Sequence, residues 1–324
     1  MRIHRGVLGA VLLLSSGLNW ANGFELSSRV WLSSGETEWS HCASFSCGGG
    51  LGVVNDGGQT IVYTLGDPTS KLNYSGIKAN TFELVGTQRM ANGWRWQGTW
   101  GTGSGDGGTQ RDQDWLTLYR YGTYSFSDTI SQIRDTSIGH ASLDFGQTHE
   151  SGTSRITPFV GLTRYQERLS AYGIQHLQND FSINYPNLPN SVQVFANDIT
   201  WTGVRLGSEF EWNLSGQSRL LVNAAYVALA KAKNKDSHVL RTRRDDLGPT
   251  PNILSEGTGD GWMVDVMGRY GYSKQLSFEL GYRWWEFTAN EGSTRFGPTF
   301  AQPFPNRSLF SRRSGLLMGL SYLY

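Results

Sequence analysis

Four stretches of the chain alternate with period two, and the polar side of that alternation carries charge of both signs. In 262–272, Trp262, Val264, Val266, Gly268, Tyr270 and Tyr272 share one parity, with Asp265 and Arg269 on the other. Phe278, Leu280, Tyr282 and Trp284 alternate with Ser277, Glu279, Gly281 and Arg283, and Val204, Leu206, Phe210 and Trp212 oppose Arg205, Glu209 and Glu211. The last stretch repeats the pattern with Leu316, Met318, Leu320, Tyr322 and Tyr324. Period two is the signature of a strand with two unlike faces. A solvated sheet face would be Thr, Ser and Lys. Here Glu83, Arg205, Glu209, Glu211, Asp265, Arg269, Glu279 and Arg283 share it, and acids and bases gathered on one parity neutralise one another inside a narrow lumen. The apolar parity then faces lipid.

The chain is therefore read as all-β: a ten-stranded antiparallel transmembrane β-barrel with long extracellular loops. Turn signals bound strands at 26–40, 60–88, 93–103, 117–147, 153–172, 198–212, 218–236, 260–273, 276–290 and 307–324. Alternate connections are short, at 91–93, 147–152, 213–217 and 273–275. The others, 41–59, 104–116, 173–197, 237–259 and 291–306, are long and rich in Gly, Pro, Asn and Ser, which is the asymmetry of an outer-membrane barrel. An even strand count places both termini on the periplasmic side. Trp94, Trp96, Trp100, Trp201, Trp212, Trp262 and Trp284, at strand ends, are assigned to the two interfacial girdles. Composition agrees: the 324 residues include 41 Gly, 12 Trp, 14 Tyr and 15 Phe, far above ordinary globular usage. With 28 Lys+Arg against 27 Asp+Glu there is no basic excess for nucleic acid.

Residues 1–23 read as an export signal, with Arg2 and Arg5 ahead of the apolar run Val7–Leu14 and small residues Ala21 and Gly23 at the cleavage site. The run is too short to span a bilayer, which takes ~20 apolar residues. The mature domain is 24–324. In an exported chain Cys42 and Cys47 read as a disulfide closing a small loop; a metal site, with only His41 beside them, is the weaker reading.

No Gly-x-Ser-x-Gly elbow, HExxH or phosphate-binding loop is present. Two clusters stand out instead, Arg111-Asp112-Gln113-Asp114-Trp115 and Asp236-Ser237-His238. Residues two apart on extended backbone point the same way, and strand parity brings both pairs to the extracellular mouth. On the seventh strand Val227 and Leu229 take the lipid parity, which gives the lumen to Asn234, Asp236 and His238. Taken singly, Asp-x-Asp reads as a solvated loop or weak Ca²⁺ ligand pair, and Asp-Ser-His as a turn. Taken together they read as a water-activating set, in which a His held by Asp accepts a proton and two close carboxylates share one.

These residues, with Ser70-Lys71-Leu72-Asn73-Tyr74, Asp112-Gln113-Asp114-Trp115, Tyr165-Gln166-Glu167 and Asp236-x-His238, resemble the omptin family of outer-membrane proteases over essentially all of 24–324. The resemblance implies a peptide-bond hydrolase without metal, cofactor or covalent intermediate. Asp236 would orient His238, the general base, while Asp112 and Asp114 hold the water. It further implies a monomer in the outer membrane of a Gram-negative-type cell, its site facing outward toward polypeptide substrates, with lipopolysaccharide as lipid partner and activator.

Two departures from the family pattern accompany the resemblance. Where the family has two acids that receive a basic substrate side chain, Trp39 and Asn234 stand, with Glu38 one residue off and on the opposite parity. The family's lipopolysaccharide-binding Tyr-x-Glu-x-Arg is matched by Tyr165 and Glu167, with Arg168 shifted by one and Leu169 in the Arg position. Lys231, Lys233 and Lys235 share one parity and either meet lipid phosphates or form a solvated edge. The competing function is a non-enzymatic barrel, an adhesin or structural protein; the presence of all four catalytic residues favours the enzyme.

Overall fold

The computed structural model describes residues 23–42, 47, 50–56, 59–118, 123–180, 186–244, 246–297 and 302–324. The export signal of the sequence reading lies outside them save for Gly23. The described residues are strands and turns with no helix. Strand β1 (Phe24–His41) pairs antiparallel with β3 (Gln59–Arg89) on one side and β13 (Phe304–Leu323) on the other. From β3 the ladders pass to β4 (Trp94–Gly105) and its continuation β5 (Thr109–Leu118), both of which also pair with β6 (Thr123–Gln147). They continue through β8 (Ser154–Asn179), β9 (Leu188–Asn213), β10 (Ser218–His238), β11 (Ile253–Gly271) and β12 (Leu276–Phe296) to β13. The succession that leaves β1 toward β3 thus arrives back at β1. Two short strands, β2 (Gly50–Asp56) and β7 (His149–Ser151), pair only with β3 and β8.

The short turns at 90–93, 214–217 and 272–275 fall where the turn residues place them. Of the long connections, 41–59 lies partly outside the described residues, 237–259 keeps a non-strand core at 239–244 and 246–252, and the described parts of the rest are largely strand. Residues 104–116 are mostly strand, interrupted only at 106–108, and the segments 173–179, 188–197, 253–259 and 291–296 continue the ladders. Their Gly, Asn and Ser content marks polar strand beyond the apolar band, where no side chain faces lipid and hydrophobic alternation has nothing to report.

The alternation sorts the faces as the sequence reading requires. Leu206, Val266, Leu280, Tyr282, Leu316 and Leu320 are exposed on the outside, and Arg205, Glu209, Arg269, Glu279 and Arg283 are buried inside. The inside is an ion-pair lattice. Arg283 bonds Glu83 (2.6 Å) and Asp265 (2.7 Å), Arg29 bonds Glu279 (2.6 Å), and Arg269 bonds Glu25 (2.7 Å) and Glu279. His140 lies 2.8 Å from Glu83, and Arg205 bonds Asp144 at 2.7 Å. Above this lattice comes an aromatic layer: Trp31 against Trp285 (5.0 Å between centroids), with Phe287 stacked on both Tyr165 and Trp201. Trp201 is therefore not a girdle residue. It lies on the Arg205 parity, and its indole N–H donates to Ser311 (2.9 Å).

One expectation fails for a reason that matters to the site. Val227 is wholly buried while Leu229 is 73% exposed. Between Val227 and Ala230 strand β10 carries one residue more than either neighbour, with Leu229 at φ +53°. This β-bulge reverses the parity: Leu221, Ala225 and Val227 face inward below it, Ala230, Ala232, Asn234, Asp236 and His238 above it. Strand β3 reverses likewise near Gly76 (φ +68°) and β6 near Asp135 (φ +55°). In each, the bulge lies on the far side of the apolar band from the short turns.

Glu83 is fully buried and touched by Arg283, Arg29 and His140. Glu83→Ala leaves these cations without their counter-charge and is expected to cost about 3–5 kcal/mol of stability. Urea unfolding of the protein reconstituted in lipid vesicles checks this; an unchanged midpoint would show that the lattice is not holding the interior.

Candidate active site

Strand β10 ends on Asp236-Ser237-His238. The ladder to β11 stops at Asp236–Ile253, and the Asn252 side chain takes over from it. Its Oδ1 accepts the His238 backbone N–H (3.0 Å), and its Nδ2 donates to the His238 and Gly248 carbonyls (both 3.2 Å). On the other side His238 pairs with Phe195 of β9, whose ring meets the imidazole edge-on at 4.8 Å. His238 is thus fixed though it lies past the last β11 pair. Its Nε2 lies 3.3 Å from Asp236 Oδ2, close but without hydrogen-bond alignment, a looseness usual in sites awaiting substrate.

Asp112 and Asp114 lie on β5, beside Leu72 and Ser70 of β3 and Thr129 and Ser127 of β6. The pairing with buried Leu72 fixes their direction, since directly opposed residues project on one face; Arg111 and Gln113 project on the other. Ser127 donates to Asp114 at 3.2 Å.

The two clusters meet across the interior. Strands β3 and β10 are five ladders apart in either direction when β4 and β5 count as one line, so they are opposite walls. Tyr74, two residues along β3 from the Leu72–Asp112 pair and on the same face, spans the gap and donates its hydroxyl to Asp236 Oδ1 at 3.0 Å. Burial and the Asp236 charge push the Tyr74 hydroxyl well above its ordinary pKa, so it stays a donor. Burial, then the charges of Asp114 and Asp236, push the Asp112 carboxyl well above the usual carboxylate range, opposed by Arg241. Asp112, Asp114, Asp236 and His238 therefore form one cluster. Tyr74, Asn197, Asn252 and Arg241 belong to it as well and were not singled out as site residues by the sequence.

The other residues singled out by the sequence divide. Trp39 and Asn234 are buried inside. Glu38 faces out, paired with Lys71 at 2.8 Å, so it does not line the interior. Tyr165 and Glu167 do not reach the lipid side. Both are buried, bonded to each other, with Arg313 on Glu167 (2.9 Å) and Thr37 donating to it. On β8 the outward parity is Arg164, Gln166 and Arg168, and Arg168 is exposed with Asp198 3.0 Å away. Lys231, Lys233 and Lys235 also face outward. Cys42 and Cys47 are disulfide-bonded.

No protein-family model matches the sequence, and no curated protein is found similar to it. Among solved structures the outer membrane protease OmpT from Escherichia coli superposes with a TM-score of 0.70 over 94% of this chain and 98% of that one, at 13% identity. The chain is similar in fold to OmpT. The β domain of the Bordetella autotransporter BrkA (TM-score 0.29, 14% identity, 94% of this chain and 100% of that one) overlaps only loosely. The same holds for the Ralstonia pickettii toluene transporter TbuX (TM-score 0.30, 8% identity, 94% and 90%). The fold is the all-β, antiparallel fold of OmpT.

The raised Asp112 pKa makes a statement about stability. In the window between the ordinary carboxylate range and the raised folded value, the unfolded chain has released the proton and the folded chain has kept it. Stability therefore falls as pH rises through that window. Asp112→Asn removes the loss, so wild type and variant should unfold alike near pH 3 and diverge upward, the variant becoming relatively more stable by pH 7. Urea midpoints measured from pH 3 to 8 check this, and parallel curves would contradict it.

Proposed function

We propose that this chain is an outer-membrane endopeptidase: a closed barrel of ten strands, β4 and β5 forming one, that hydrolyses polypeptides at its exterior mouth. The observation that carries the reading is the meeting of two acid-bearing walls. His238 lies 3.3 Å from Asp236, and Tyr74, two residues along β3 from the partner of Asp112, donates to Asp236 at 3.0 Å. The fold shared with OmpT supports it.

A water held between the Asp112–Asp114 pair and His238 loses a proton to the imidazole as its oxygen attacks the scissile carbonyl carbon. Asp236, oriented by Tyr74 and Asn197, stabilises the imidazolium. The proton that Asp112 retains is offered to the carbonyl oxygen as charge develops there. Collapse breaks the C–N bond, and the amine leaves with the proton from His238. The ion-pair lattice and aromatic layer beneath form a floor that keeps the peptide at the mouth. Outward Lys231, Lys233, Lys235 and Arg164 lie beyond the exposed apolar residues, where the phosphates of an outer-membrane lipid would sit.

His238→Ala is expected to lower peptide hydrolysis about 10²–10⁴-fold while the protein keeps its heat-modifiable mobility, the usual sign of an intact barrel. Peptide-library cleavage by wild type and variant is the measurement. Equal rates would exclude His238 as the base. A wild type that cleaves nothing would leave the non-enzymatic barrel.

A further inference from the structure

Beside the dyad, two buried carboxamides face each other with half of their hydrogen-bonding capacity unused. Asn197 of β9 stands opposite Asp236, and Asn234 of β10 lies two residues from Asp236 on the same inward face. Both are only 2% exposed. Asn197 Nδ2 donates to Asn234 Oδ1 at 2.8 Å and approaches Asp236 Oδ1 at 3.4 Å. The Asp236 carboxylate fixes the orientation, because the reverse rotation of Asn197 would set its carbonyl oxygen against a carboxylate oxygen. What remains is the amide nitrogen of Asn234, a donor, and the amide oxygen of Asn197, an acceptor, both buried and without a partner among the described residues.

Buried polar groups in native proteins are nearly always bonded, and an unbonded pair calls for a ligand or a role. One donor beside one acceptor is the complement of a primary amide, whose carbonyl accepts while its NH₂ donates. The neighbouring carboxylate is committed to the dyad. Asp236 Oδ1 takes Tyr74 and Asn197, while Oδ2 lies 3.3 Å from His238 Nε2 without an aligned hydrogen bond. A lysine or arginine side chain entering here would be desolvated and would compete with the His238 imidazolium for that oxygen. An apolar side chain would leave the donor and acceptor unmet. Two residues along a strand is roughly 7 Å, so Asn234 lies below the dyad by about the reach of one extended side chain.

Resting on the endopeptidase reading, we infer that Asn197 and Asn234 form a specificity pocket for an uncharged carboxamide side chain, Gln or Asn, flanking the scissile bond. Sites that hydrogen-bond a substrate group reject analogues lacking it far more strongly than apolar pockets reject a missing methylene.

The test uses the full chain, refolded in micelles with outer-membrane lipid, against peptides randomised around the cut. Matched peptides carrying Gln, Glu, Lys or Leu at the selected position then give kcat/KM. Gln or Asn should be selected at one flanking position, with Gln exceeding Lys and Leu by more than the ~10²-fold an apolar pocket achieves. Asn234→Asp, nearly isosteric, still accepts from Asn197 but presents a free carboxylate oxygen, and should invert the order toward Lys and Arg. Asn234→Leu should bring the Gln-to-Leu ratio of kcat/KM down toward unity, whatever the absolute rates. Wild-type cleavage that favours basic or apolar residues, or ignores this position, overturns the pocket and leaves the endopeptidase standing. Folded wild type that cleaves nothing overturns both.

Discussion

Glu83 is the point through which the interior is held together. It sits on β3 but is contacted by Arg283 from β12, Arg29 from β1 and His140 from β6. A carboxylate removed from water is tolerable only when cations surround it, and these cations come from strands far apart in sequence. The lattice therefore requires the strands to be gathered around one axis, and it requires each to present its charged parity inward. The observed ladders meet both requirements. The aromatic layer rests on this lattice, with Arg283 4.5 Å above the Trp285 ring, and the candidate site rests on the aromatic layer.

How much was legible follows from where the alternation is unbroken. On β9 the parity that makes Arg205, Glu209 and Glu211 internal continues without interruption through Trp201 to Asn197. Carried that far, it would have moved Trp201 from the girdle to the core and put Asn197 beside Asp236. On β8 the same count puts Tyr165 and Glu167 inside, against the lipid role that the motif resemblance implies. On β10 Asp236 and His238 face inward although Val227, also buried, does not take the lipid parity. The bulge supplies the extra residue that makes the lower half odd and the upper half even. No local sequence pattern announces it, because Leu229 is a poor candidate for positive φ, a conformation that costs about 1–2 kcal/mol for a non-glycine residue.

The clusters Asp112–Asp114 and Asp236–His238 were legible because two acids, or an acid and an imidazole, two apart on strand must share a face. Their meeting was not legible from spacing alone. It depends on Tyr74, whose direction is set by a reversal near Gly76, and on the interior being narrow enough for one phenol to bridge opposite walls. Glu38 and Trp39 illustrate the same dependence on register. One residue decides whether a carboxylate or an indole faces the site, and the pairing of Trp39 with buried Leu72 and Leu309 settles it for the indole.

The bulges of β3, β6 and β10 separate each strand into two stretches whose facing is set independently. An insertion or deletion near the short turns changes register below the bulge, while one near the mouth changes it above. At the bulge itself a single-residue deletion would turn Asn234, Asp236 and His238 to the outer surface and bring Lys231, Lys233 and Lys235 inward. The molecule is thereby divided into a hull whose facing is set below the bulges and a rim whose facing is set above them. The chemistry of the rim can be rewritten by substitution without disturbing what lies in the bilayer, whereas a length change at the seam inverts it in one step.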